Sequence, residues 1–126
     1  MAVPKSFRVG YLVDYEEELF KQYYTVWGKG ATFEKLRNWW TKEHGVNPNT
    51  GKPFSVPAFH QACWRWGLRN LDEAREMFSA YALLYGERVT DEIWKKFIQE
   101  RARDCLKGGA RTFFNDHPEY APEEEE

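Results

Sequence analysis

Cysteine is scarce in this chain. Cys63 and Cys105 are the only two in 126 residues, and neither has metal-ligand spacing to a second cysteine. That excludes a disulfide-stapled scaffold and a zinc site built on cysteine pairs. Both fall inside helical patterns and are expected to be reduced, buried core residues in a cytoplasmic setting, with one bridge between their two helices as the alternative. Long apolar runs are also missing. Val9 to Val13 ends at Asp14 after Lys5 and Arg8, too short for a signal peptide core or a membrane span, so no membrane partner is expected. Net charge is nearly absent at −2, which excludes a uniformly basic protein of the histone type.

Catalytic equipment is thin. There are three histidines, His44, His60 and His117. His60 and Cys63 stand at i, i+3, but no other Cys or His is placed to complete a metal site. Gly28 to Thr32, GKGAT, is glycine-rich at a helix start but lacks the Walker pattern and suits a linker between helices. Glu16, Glu17 and Glu18 lie where the positive end of a helix favours carboxylates, so they are assigned to capping rather than to an acid–base pair. No enzyme activity, catalytic residue, metal or cofactor is expected.

What is present is apolar and aromatic. Hydrophobic residues make up 42% and aromatics 17%, with six Trp, seven Tyr and nine Phe. This length and content suit one folded domain with a substantial core. The apolar period is helical almost throughout. Asp14 opens a first helix carrying Leu19, Phe20, Tyr23, Tyr24 and Trp27, ended by Gly28 and Gly30. Thr32 caps a second with Phe33, Leu36, Trp39 and Trp40, stopped at Gly45. Ser55 caps a third with Phe59, Ala62, Cys63 and Trp66 on its inner face. Asn70 opens a fourth with Ala74, Met77, Phe78, Tyr81, Leu84 and Tyr85, stopped at Gly86. Thr90 caps a fifth with Ile93, Trp94, Phe97, Ile98, Ala102, Cys105 and Leu106. The expected fold is all-α, a compact bundle of about five helices over residues 14–111. An extended N-terminal arm covers 1–13, and a mobile acidic tail covers 112–126.

Charge is unevenly spread. Between residues 29 and 70, Lys29, Lys35, Arg37, Lys42, Lys52, Arg65 and Arg69 face only Glu34 and Glu43, whereas Glu123 to Glu126 close the chain with four carboxylates. A basic middle suits an anionic partner. The segment Val46 to Phe54, VNPNTGKPF, is turn chemistry throughout, either a plain surface loop or a small hairpin presenting Lys52 to phosphate. The third helix sets Ala58, Gln61, Arg65 and Arg69 along the face opposite its apolar residues, with His60 and Trp64 flanking.

Two helices, a polar turn and a polar outer stripe over residues 32–70 resemble the helix-turn-helix class of DNA-binding domains, with a connection longer than the usual compact turn. That resemblance implies double-stranded DNA as partner, for a small regulator or an accessory subunit of a DNA-handling complex. Gln61, Arg65 and His60 would meet base edges, and Lys35, Arg37, Lys42, Lys52, Ser55 and Arg69 would hold the backbone. The alternative is a non-catalytic adaptor or assembly subunit, with a protein partner or a homo-oligomer. Trp39-Trp40 and Trp64-Arg65-Trp66 cannot all face inward when helix neighbours differ by about 100°, which makes Trp39 and Trp64 the expected interface residues.

Overall fold

Hydroxyl side chains set where three of the helices begin. Thr32 Oγ1 accepts from the Lys35 amide at 2.9 Å, Ser55 Oγ from Ala58 at 3.3 Å and Thr90 Oγ1 from Ile93 at 3.2 Å. Each satisfies one of the amides a helix start leaves open. They open α2 (Phe33–His44), α3 (Val56–Arg69) and α5 (Asp91–Cys105). Ahead of them, a 3-10 turn (Val13–Tyr15) leads into α1 (Glu16–Lys21), which widens into a π-helical turn (Gln22–Val26). Between α3 and α5 runs α4 (Leu71–Leu83). A 3-10 turn (Lys107–Gly109), α6 (Ala110–Asp116) and a last 3-10 turn (Pro118–Tyr120) follow α5. This is a computed structural model that describes residues 12–122. Most of the expected N-terminal arm and the four terminal glutamates lie outside the described residues.

The all-α expectation holds, with six α-helices among the described residues. Gly45 at φ +97° and Gly86 at φ +78° follow α2 and α4, in the left-handed region that glycine enters without steric cost. Asn70 precedes α4 without capping it through its side chain. Its Nδ2 donates instead to the Trp66 carbonyl at 2.9 Å. The turn-rich segment after α2 is a miniature hairpin. The Asn47 amide donates to the Lys52 carbonyl at 2.9 Å, Asn47 Oδ1 accepts from Asn49, and Gly51 turns at φ +71°.

α3 is the central rod. It packs against α1, α2, α4 and α5, and Phe59, Ala62, Cys63, Trp64, Trp66, Gly67 and Leu68 are all buried on it. Trp64, expected to face outward, is fully buried. Phe20, Phe78, Trp94 and Phe97 surround its indole, and its Nε1 donates to Tyr24 Oη at 3.1 Å. With neighbours on four sides, apolar positions are required around most of the helix, so the assumption of one inward face fails for α3. Gly67 on α3 lies against the rings of Trp64 and of Phe20 on α1. A Cβ there would stand 2.7 Å from Trp64 Cε3 and 3.0 Å from Phe20 Cε2.

Two further expectations are corrected. Residues 112–120 are not a mobile tail. Phe113 is buried, and Tyr120 Oη accepts from Trp94 Nε1 at 2.9 Å while its carbonyl accepts from Gln99. α6 is too short for its apolar period to stand out in sequence, but its aromatic residues give it enough area to dock. Ile93, Leu84 and Tyr85, expected in the core, are exposed. α4 ends before the last two, and Ile93 lies in the first turn of α5, beside the core rather than in it.

Candidate nucleic-acid interface

The outer stripe of α3 lies where the helical period places it. Ala58, Gln61 and Arg65 are half-buried and Arg69 is exposed. Its arginines, however, are engaged. Arg65 Nε donates to Glu16 Oε2 at 2.7 Å, and Arg69 Nη2 donates to Glu16 Oε1 at 2.8 Å, while Glu16 itself is only 3% exposed. A carboxylate so far out of water needs its cations, because losing them leaves a buried charge unpaired. Neither guanidinium can turn to a guanine edge without that cost.

Glu16 therefore belongs to the core seam, not to the capping cluster it was assigned to. The signal was in the sequence. Glu16, Leu19, Phe20 and Tyr23 recur at i, i+3, i+4 and i+7, which puts the carboxylate in phase with the buried stripe of α1. Glu17, one residue on, is exposed and pairs with Lys21 at 2.6 Å.

His60 also leaves the outer stripe. Its ring meets Phe33 edge-on at 5.0 Å, and its Nδ1 lies 4.0 Å from Cys105 Sγ. Burial lowers its pKa below the ordinary 6.5, and Arg101 adds to the shift while Asp104 opposes it. The thiols nearby are inert. Both cysteines are free and buried, Cys63 is raised well above its ordinary pKa chiefly by burial, and Cys105 is raised by burial to about 11. Among the described residues no group of three or more His, Cys, Asp or Glu is arranged to hold a metal ion.

The remaining candidate cations, Lys35, Arg37, Lys42 and Lys52, lie on α2 and its following hairpin. Lys35, Trp39 and Lys42 stand at i, i+4 and i+7, hence on one face of α2. With Trp27 and Asn38 they line an open groove of about 450 Å³, which Thr32 and Glu34 also border. The Trp27 and Trp39 rings meet edge-to-face at 6.1 Å, and Lys35 Nζ stands 4.8 Å over the Trp27 ring, a cation–π contact. Lys35, Lys42 and Lys52 are exposed and have no carboxylate partner among the described residues. Arg37 is less available. It holds Asn38 Oδ1 at 3.2 Å through two nitrogens and approaches Glu34 at 3.8 Å, taking up the one acid beside the groove. Ser55 is committed to its cap through Oγ.

The structure thus brings Lys35, Lys42 and Trp39 to one groove and sets Arg65 and Arg69 apart on Glu16. Trp27 and Asn38 went unrecognised in the sequence. Trp27 ends the π-helical turn of the first helical segment, and no local pattern shows that this end folds back beside α2. No helix among the described residues is long and apolar enough to cross a membrane. Comparison with models of known families, with curated proteins and with solved structures gives no match to this chain.

Proposed function

We propose that the chain binds DNA through the lysine face of α2 and the hairpin after it, and not by insertion of α3 into a groove. The observation that carries this reading is the contrast in pairing. Lys35, Lys42 and Lys52 are exposed with no acidic partner among the described residues, while Arg65 and Arg69 are held by a buried carboxylate. Lysines seven residues apart on a helix are separated by roughly 10 Å along its axis. At about 3.4 Å of duplex axis per phosphate on one strand, that spacing spans about three phosphates, so each lysine can meet its own, which supplies affinity without reading sequence. Trp39 and Trp27 add apolar faces against sugars or an exposed base. Of the expected base-reading set, Arg65 is held by Glu16 and His60 packs on Phe33, which leaves Gln61 on the outer stripe. This fits an accessory subunit of a DNA-handling complex better than a sequence-reading regulator.

The test is fluorescence anisotropy with labelled duplexes of two unrelated sequences, and with one matching single strand, at two salt concentrations. Salt-sensitive binding of both duplexes at similar affinity is expected, with the affinity falling in Lys35→Ala and Lys42→Ala. Absence of salt-sensitive binding to any of the three at low salt would overturn the reading. Strong discrimination between the duplexes that is lost in Arg65→Ala would return base reading to α3.

A further inference from the structure

We infer that α4 carries a second apolar face that pairs with the same face of another copy of this chain. The inward stripe of α4 is Ala74, Phe78, Tyr81 and Ala82. Beside it Met77, half-buried against the core, is followed at i+3 by Ala80 and at i+7 by Leu84, which caps the helix and is 42% exposed, while Leu83, 61% exposed, lies about 100° further round. A groove of about 380 Å³ runs beside them, formed with Tyr24, Thr25 and Gly28. Gly28, at φ +59°, lies beneath Leu84, whose Cδ1 would be 3.8 Å from a Cβ there. Single exposed leucines are ordinary, but Leu84 closes an apolar groove that Ala80 and Met77 continue, and such a strip marks a contact surface.

The charges at the two ends of this face identify the occupant. Glu76 borders the groove at its N-terminal end. At the other end Tyr85 Oη donates to the Lys29 carbonyl at 3.1 Å, and Lys29 Nζ lies 5.9 Å from the Tyr85 ring. Neither Glu76 nor Lys29 has an ion-pair partner among the described residues. Glu87 and Arg88, the next charges, offset one another. The face is therefore negative at one end, apolar in the middle and positive at the other. Two copies related by a two-fold axis through Ala80 run antiparallel and bring each Glu76 to the partner's positive end, so the surface is complementary to itself. Ala80 at the crossing lets the helices approach closely. One helix face buries less than a standard interface, so the dimer is in the micromolar range or weaker. This inference does not depend on the proposed DNA contact, which uses a different groove.

Sedimentation velocity of the full chain, from micromolar to sub-millimolar concentration, tests it. The average mass should rise toward that of a dimer. Leu84→Asp should hold the chain as a monomer. Glu76→Lys and Lys29→Glu should each weaken dimerisation about tenfold, and the double charge swap should restore it. Because both charged residues are exposed, circular dichroism should show unchanged helicity in the swap variants, so the charge cycle stands even where Leu84→Asp perturbs the fold. A wild-type chain that stays monomeric throughout overturns the inference. So does a dimer indifferent to both Leu84→Asp and the charge swaps, since it would form through another face.

Discussion

Arg65 and Arg69 on α3 and Lys35 and Lys42 on α2 look alike as sequence, each a pair of cations at helical spacing on the polar side of a capped helix. In the folded chain they differ completely. The arginines close on Glu16, 3% exposed, whereas the lysines project into an open groove beside two indoles. A stripe of charge acquires its role from what the neighbouring element places opposite it. Where that is a buried carboxylate, the stripe serves stability. Where nothing opposes it, the stripe remains available to a ligand.

The largest effect should come from stripping the arginines. Arg65→Ala with Arg69→Ala leaves Glu16 buried without a cation, and urea unfolding should show a loss of about 3–5 kcal/mol. Little change in the double variant would mean that Glu16 reaches water easily, and the contrast between the two stripes would collapse. Next, Gly67→Ala pushes a methyl group into Trp64 and Phe20 at the seam that brings Glu16 to α3. Thermal or urea unfolding should register about 1–3 kcal/mol of destabilisation.

On the other stripe the readout changes. Lys35→Ala and Lys42→Ala should each leave stability within about 0.5 kcal/mol while lowering the slope of log affinity against log salt by about 1. A lysine variant that destabilises the fold without affecting the salt slope would place α2 in the same class as α3.

The smallest effect concerns pH. The pKa of His60 is lowered in the folded chain, mainly by burial, so the unfolded chain takes up its proton first. Its contribution to stability is full above the ordinary value of 6.5 and is lost as pH falls through the lower folded value. In His60→Phe the stability profile should be flatter as pH falls from 6.5 toward the lower folded value, as measured by urea midpoints at a series of pH values. An unchanged profile would assign the acid sensitivity to other groups.

Much of the framework was legible because it is local. Thr32, Ser55 and Thr90 cap within three residues, and Gly45 and Gly86 terminate helices by backbone freedom alone. The candidate groove was half legible. The spacing of Lys35, Trp39 and Lys42 is visible in sequence, but Trp27 enters only through the fold-back after the π-helical turn. The burial of Trp64 was not legible, because a helix enclosed by four others has no single apolar face.

The chain's order of residues is enough to specify five of the six helices, most of their starts and stops, and a turn-rich segment after α2, since caps, turns and apolar periods act over a few residues. Which segment occupies the centre, and which cations are neutralised, depends on contacts between residues far apart in the chain. Glu16 meets Arg65 across 49 positions and Arg69 across 53. No local pattern encodes such a meeting. It follows from the burial of α1 against α3, which carries the carboxylate out of water and makes the guanidiniums its necessary partners.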